Sequence, residues 1–238
     1  ERKAAVGSGG KLWFSVKSGE EQIRFVEKLS KIEENSAYFH EMPPQPPAKK
    51  FTWFEICLDQ DDDGARIGAD CPGCEANRDD YTVCRRKFIG FANIIWRNAP
   101  VRKIENGKVK EEGKKDQVAL WEIKPTVQDL LTDKELTYKD LTSRDFIVRR
   151  RGTGFDTTYS LEPVADENGD VKAVPLTDED KALIAEGIND IPAMLASKPI
   201  EEWGILKSRK KDDDGSSSAP TSGAASDSPF LRRNRQES

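Results

Sequence analysis

All four cysteines of the 238-residue chain lie within 28 consecutive positions, in the spacing C-x13-C-x2-C-x9-C. The inner pair, Cys71 and Cys74, flanks Pro72-Gly73, and such a tight turn can hold two thiolates about 2.3 Å from one tetrahedral zinc ion. The outer cysteines, Cys57 and Cys84, are near enough in sequence to complete the site. The spacing therefore predicts a structural Zn²⁺ site formed by Cys57, Cys71, Cys74 and Cys84.

Two alternatives to the four-cysteine site stay open. His40, the single histidine, is an alternate ligand, because one imidazole with three thiolates is also a common structural zinc set. Cys57 is favoured over it, since Cys57 is closer to the C-x2-C motif and a proline-rich stretch precedes it. The second alternative is a redox motif of thioredoxin type, which requires C-x2-C to open a helix after a strand. The motif instead lies in a polar stretch rich in Asp, Gly and Arg, which favours zinc.

The chain is acidic overall, but its charges are clustered. Its net charge is −5, and charged residues make up 34% of it, above the roughly 25% typical of globular proteins. Two basic runs, Arg85-Arg86-Lys87 and Arg149-Arg150-Arg151, are separated in sequence from the acidic runs. Binding to phosphates depends on such local clusters more than on net charge. No apolar stretch is long enough for a membrane span, so we expect an intracellular protein.

Most of the chain has the composition of short strands bounded by turns. Strands are predicted at residues 12–16, 21–26, 50–58, 88–96, 118–123, 145–151 and 156–161. The polar, Gly-containing residues 103–115 predict a long exposed hairpin. A helix is predicted over 126–131 with Thr126 as N-cap, and helical spacing continues over 177–207 behind Thr177.

These elements predict a mainly β fold with minor α content and three regions along the chain. Residues 1–10 have the composition of a flexible arm, and residues 208–238 that of a disordered tail. Residues 11–207 form the predicted core, which includes the zinc-binding subdomain at about 55–87.

Basic and aromatic residues are interleaved in a way that is typical of proteins that bind single-stranded nucleic acid. In such proteins cations follow the phosphates and aromatic rings stack on the bases. The candidate DNA-binding residues are Arg85, Arg86, Lys87, Phe91, Trp96, Arg97, Arg149, Arg150, Arg151, Phe155 and Tyr159. For any single aromatic residue, a place in the core is the alternative.

No enzyme class is favoured by the sequence. The Walker-type phosphate loop, the H-E-x-x-H metalloprotease motif and the G-x-S-x-G hydrolase motif are all absent. A four-ligand zinc site also has no open position for a catalytic water. The acidic run from Asp59 to Asp63 lacks the spacing of an EF-hand and is predicted to be a solvated loop. We therefore expect a binding protein.

The order of these features resembles the zinc-containing single-stranded-DNA-binding proteins of tailed bacteriophages, the T4 helix-destabilising type. The resemblance spans roughly residues 11–205, and its most specific part is Ile147-Val148-Arg149-Arg150-Arg151-Gly152-Thr153-Gly154-Phe155-Asp156-Thr157-Thr158-Tyr159. It implies an OB-fold barrel with an inserted zinc subdomain, and sequence-independent binding of single-stranded DNA in replication, recombination and repair. It also implies contacts of the C-terminal tail with replisome proteins.

The zinc ligands of that family follow a characteristic order, with His first and C-x2-C last. In the four-cysteine set predicted here, C-x2-C instead precedes Cys84. The alternative function is a zinc-dependent replication or transcription adaptor that binds protein or duplex DNA. A preference for duplex DNA or for a protein partner would distinguish that adaptor from a single-strand binder.

Overall fold

The computed structural model describes residues 11–16, 19–42, 53–61, 64–105, 108–153, 156–196 and 203. The chain divides into two units, Glu1–Leu206 and Lys207–Ser238, and every described residue belongs to the first. The predicted arm at 1–10 and the predicted tail at 208–238 lie outside the described residues. No helix in the described ranges has the length and apolar content that crossing a membrane requires.

Seven strands of the described residues form one antiparallel sheet in the order β3-β2-β4-β1-β6-β7, with β5 paired to β4. The strands are β1 Gly19–Phe25, β2 Ser36–Met42, β3 Trp53–Ile56, β4 Arg85–Glu105, β5 Lys108–Ile123, β6 Asp145–Arg151 and β7 Thr158–Pro163. The predicted mainly β class is therefore confirmed. The sheet does not close on itself within the described part of the chain, so a barrel is not formed by these pairings.

Within the described ranges, five α-helices accompany the sheet: α1 Leu29–Glu34, α2 Pro72–Asp79, α3 Pro125–Tyr138, α4 Asp178–Gly187 and α5 Ile191–Leu195. The predicted N-cap of α3 at Thr126 is wrong, because Pro125 occupies the first helical position and Lys124 is the cap. The predicted cap of α4 at Thr177 is confirmed. Its side chain accepts a hydrogen bond from the backbone of Asp180, whose carboxylate bonds back to Thr177.

β4 is the longest strand and has three partners. Residues 85–90 pair with β2, residues 94–96 pair with β1, and β5 follows the other edge of β4 from residue 90 to residue 105. The β4–β5 pair confirms the predicted long hairpin. Because side chains alternate along a strand, Ile94 and Trp96 face one apolar cluster, while Ile89 and Phe91 face another. Both faces of β4 are thus buried over residues 89–96.

Three apolar clusters hold the sheet and its helices together. The main cluster lies between the sheet and α3 and includes Ile23, Phe25, Ile94, Trp121, Leu131, Phe146 and Val148. The second cluster lies under α5 and contains Phe39, Ile89, Phe91, Leu120 and Ile191. The third contains Met42, Cys57, Cys71, Cys84 and Trp203, and it surrounds the candidate site.

Candidate metal centre

Four side chains with metal-binding atoms converge beside the third cluster. They are His40 from β2, Cys57 directly after β3, and Cys71 and Cys74 at the start of α2. Their ligand atoms all lie within 4.8 Å of one another, and every residue except Cys74 is buried. This grouping can hold one metal ion.

The distances between the ligand atoms are close to the edges of a zinc tetrahedron. His40 Nε2 lies 3.4 Å from Cys71 Sγ and 3.5 Å from Cys74 Sγ, and Cys57 Sγ lies 3.6 Å from Cys74 Sγ. Tetrahedral bonds of about 2.05 Å to nitrogen and 2.3 Å to sulfur give edges of roughly 3.6 and 3.8 Å. The donor set and its spacing therefore fit a four-coordinate ion.

The imidazole of His40 is oriented by the chain around it. Its Nδ1 donates a hydrogen bond of 2.7 Å to the backbone carbonyl of Cys84, and this bond leaves Nε2 unprotonated on the side of the three thiols. Such a bond from the distal ring nitrogen is the usual way in which a metal-binding histidine is held. His40 is fully buried, so the tautomer is fixed inside the protein.

The structure thus differs from the predicted four-cysteine set. His40 does not replace Cys57 but joins it, and Cys84 is outside the group. Cys84 is buried and directly precedes β4 with a left-handed backbone at φ 47°. It contributes its carbonyl to His40 instead of its thiol to the metal-binding cluster.

The C-x2-C motif opens a helix, which corrects the predicted polar loop. Cys71 is the N-cap of α2, Pro72 occupies its first turn, and Cys74 lies within it. The redox alternative requires such a helix. However, a two-cysteine redox motif does not require a third thiol or an imidazole, and here Cys57 and His40 both contact Cys74.

Gly73 is a functional residue that the sequence analysis missed. A Cβ atom at this position would lie 2.4 Å from Cγ of His40, so only glycine allows α2 to approach the imidazole. The Pro-Gly pair inside C-x2-C was the available signal, because glycine often marks a close backbone approach.

We predict that Gly73→Ala displaces His40 and lowers zinc affinity roughly 10- to 100-fold, the range found when a supporting residue of a metal site is lost. Competition with a chromogenic chelator measures the affinity. Gly187→Ala is the matched control, because its added Cβ meets only Val118 at an ordinary 3.5 Å. Equal zinc affinity in the two variants would contradict the assigned role of Gly73.

The three thiols of the cluster influence one another's protonation. A hydrogen bond from the Cys57 thiol and hydrogen bonds from the backbone of Cys74 and Leu58 hold the pKa of Cys71 well below its ordinary value, although burial opposes this. The hydrogen bond to Cys71, burial and the nearby negative charge raise the pKa of Cys57, and burial together with that charge raises the pKa of Cys74. A divalent cation at the centre would stabilise all three thiolates at once.

A second layer of polar contacts supports the cluster from the loop before α2. Arg66 Nη1 lies 3.7 Å from Cys74 Sγ and 2.8 Å from Asp59. The Asp59 carboxylate also accepts hydrogen bonds from the backbone of Ile67 and Gly68. Asp59 is therefore buried, which corrects the predicted solvated loop at this residue.

Several predicted DNA-binding residues are instead part of the core or of its ion pairs. Phe91 and Trp96 are buried, and Trp96 Nε1 donates to Glu21. The guanidinium of Arg97 bonds to Asp116, Asp145 and Asp180. These positions correct the prediction that Phe91 and Trp96 stack on bases and that Arg97 contacts phosphate, because each lacks the exposure that such contacts require.

The remaining candidates lie in two places on the sheet. At the start of β4, Arg85 is exposed, Lys87 is paired with Glu41, and Arg86 covers the ring of Tyr38 at 3.8 Å. The candidates of the β6–β7 pair are Arg149, Arg150, Arg151 and Tyr159. Phe155 lies outside the described residues.

The side chains of the β6–β7 pair differ in exposure and partners. Arg149 is paired with Glu20 and Glu162, whereas Arg151 is exposed and its side chain makes no hydrogen bond or ion pair with any described residue. Arg150 is half-buried opposite Tyr159, which packs partly on the main cluster. No protein-family model and no curated protein matches this chain, so the sheet, the metal-binding cluster and these arginines are the observations on which a function can rest.

Proposed function

We propose that the protein binds single-stranded DNA without sequence preference, in phage replication, recombination and repair, and that it carries one structural zinc ion. The observation that carries the proposal is the set of three consecutive arginines at the end of β6, of which Arg150 lies opposite Tyr159 of β7 and shares its face. Cations for the phosphates and an aromatic ring for the bases are the two contacts that single strands require.

The three arginines present positive charge on both faces of one strand end. Arg149 and Arg151 lie on one face and Arg150 lies on the other, because side chains alternate along β6. Arg151 is available to a phosphate without breaking an existing ion pair. Arg149 would exchange its exposed bonds to Glu20 and Glu162 for phosphate, and exposed pairs of this kind cost little to break.

The metal-binding cluster supports the same proposal through the order of its ligands. His40, Cys57 and then Cys71-x2-Cys74 place histidine first and C-x2-C last, as in the phage proteins that the sequence resembles. We infer zinc because nitrogen and thiolate ligands in a buried tetrahedral arrangement suit it. All four positions are filled by protein atoms, so the ion would stabilise a subdomain and perform no catalysis.

We infer an OB-type core from the way in which β4 is paired. A long strand that is shared by β1, β2 and β5 brings two parts of the sheet around the main cluster. Residues 12–14 add a short parallel bridge at Leu120 of β5. The metal-binding lobe, at about residues 55–87, would then be an insertion beside the core.

Fluorescence anisotropy with labelled oligo-dT and matched duplex DNA tests the function. We predict that the zinc-loaded protein prefers oligo-dT and that Arg149→Ala/Arg151→Ala weakens this binding at least tenfold at low salt. The slope of log affinity against log salt should fall by roughly 1.4, about 0.7 for each lost phosphate contact. Lys181→Ala, which removes an exposed cation of α4, is the control. An unchanged affinity in the double variant would exclude β6 as the binding surface.

The second candidate is the zinc-dependent adaptor, and one observation favours it. Ile67 and Tyr81 of the metal-binding lobe expose 57% and 81% of their surface, and exposed apolar groups are common where proteins meet. A preference for duplex over oligo-dT, or no DNA binding at low salt, would select this candidate.

A further inference from the structure

A large groove reaches Cys57 of the metal-binding cluster. It has a volume of about 850 Å³ and is bordered by α1, the start of β2, the residues after β3, and α5. This volume is in the range of ligand and peptide sites. Half-buried apolar side chains line it, namely Ala37, Ile56, Leu58 and Leu195.

One lining residue has an unused hydrogen-bond donor. Asn35 ends α1, is only 2% exposed, and its backbone N–H and C=O are bonded to Lys31 and Phe91. Its side-chain Nδ2 is buried and has no acceptor among the described residues. Buried amide groups are nearly always satisfied, so a small side-chain movement that opens Nδ2 to the groove would let a carbonyl oxygen of a bound molecule complete the site.

The charge of the groove selects the kind of molecule. Among its described lining residues, the acidic ones are Glu33, Glu34 and Asp61, and the one cation, Lys31, is already paired with Glu34. The Glu33 side chain makes no hydrogen bond or ion pair with any described residue. Burial and the neighbouring carboxylate of Glu135 raise its pKa, and a cation near Glu33 would relieve both effects.

We propose that this groove binds a Lys- or Arg-containing segment of a partner protein. A backbone carbonyl of the segment accepts the hydrogen bond from Asn35, its cationic side chain pairs with Glu33, and its apolar side chains cover Ile56 and Leu195. DNA does not fit this chemistry, because an acidic rim repels phosphates. The site is therefore independent of the proposed single-strand binding.

Titration of the zinc-loaded full chain with a fluorescein-labelled eight-residue peptide of alternating Lys and Leu tests the site. We expect saturable binding, at least tenfold weaker binding to Glu33→Lys, and unchanged binding to Glu167→Lys. Glu33→Lys keeps the fold, since a lysine on α1 can pair with Glu135. Glu167→Lys makes the same charge change on an exposed residue outside the groove. A peptide of alternating Glu and Leu should not bind.

A second measurement reports on Asn35 itself. In a ¹⁵N-correlated NMR spectrum, the side-chain amide signal of Asn35 should shift on addition of the Lys-Leu peptide, and excess oligo-dT should not reverse the shift. Equal peptide binding by the two charge variants, or an unmoved Asn35 signal, overturns the proposal. Displacement of the peptide by oligo-dT also overturns it, as does a concentration-dependent shift of the same signal without peptide, which would assign the groove to a second copy of the chain.

Discussion

Replacing His40 by Ala should remove tight zinc binding and lower the melting temperature by roughly 8–16 °C at a free zinc concentration near 1,000 times the wild-type Kd. The reason is that zinc at this excess contributes about 4 kcal/mol to stability, and each kcal/mol corresponds to about 2–4 °C in a chain of this size. Zinc stoichiometry by atomic absorption and thermal unfolding with and without chelator measure the two effects.

Cys84→Ala is the matched variant for this experiment. Cys84 belongs to the predicted four-cysteine set but contributes only a backbone carbonyl to His40, and alanine retains that carbonyl. We expect one zinc per chain in Cys84→Ala and none that survives dialysis in His40→Ala. The reverse result would restore the four-cysteine site and remove His40 from it.

Replacing Arg97 by Ala should destabilise the protein by about 3–5 kcal/mol, the range for removing one partner of a buried ion pair. Arg97 lies between Asp116, Asp145 and Asp180, and its side chain is 15% exposed. Without Arg97, the buried carboxylate of Asp180, in the first turn of α4, loses this ion pair. Denaturant unfolding at pH 7 measures the loss, and Lys110→Ala, which removes an exposed pair with Glu105, should change stability by less than about 0.5 kcal/mol.

Acid titration gives an independent check on the role of Arg97. Hydrogen bonds and positive charge from Arg97 hold the pKa of Asp180 below its ordinary value, although burial opposes this. A lowered native-state pKa stabilises the fold above the ordinary pKa of an aspartate, and this stabilisation is lost as the pH falls below about 4. The wild type should therefore lose stability more steeply than Arg97→Ala below pH 4. Parallel pH profiles would argue against the assigned ion pairs.

Local patterns in the sequence predicted many elements of the fold but not their arrangement. The mostly apolar run at 88–96 was predicted as a buried strand and forms part of β4, because a short apolar run suits a strand that is covered on both faces. The segment 12–16 has strand composition but forms only one isolated bridge, at Trp13. Strand order depends on contacts between distant segments, and no local pattern encodes such contacts.

The metal-binding cluster shows a similar limit. Three of its residues were predicted from their close spacing, whereas His40 was ranked below Cys57 because it lies farther from the C-x2-C motif, 17 positions before Cys57. The antiparallel pairing of β2 with β3 places Phe39 opposite Ile56. The next residues along each strand direction, His40 and Cys57, are thereby close in space despite their separation in sequence. Phe91 and Trp96 lie in the same apolar run at 88–96, whose pattern favoured the core for each of them. The basic residues next to this run led to the prediction that the two rings stack on bases.

The position of β1 between β4 and β6 has a consequence for synthesis on the ribosome. Arg24 of β1 bonds to Asp145 at the start of β6, 121 positions later in the chain. At a synthesis rate of 5–20 residues per second, translation from β1 to β6 takes roughly 6–24 s. During that interval one edge of β1 has no strand to pair with, and a nascent chain with an open edge can join its neighbours on the same polysome. The translation rate between these two strands should therefore influence how much of the protein reaches the native sheet.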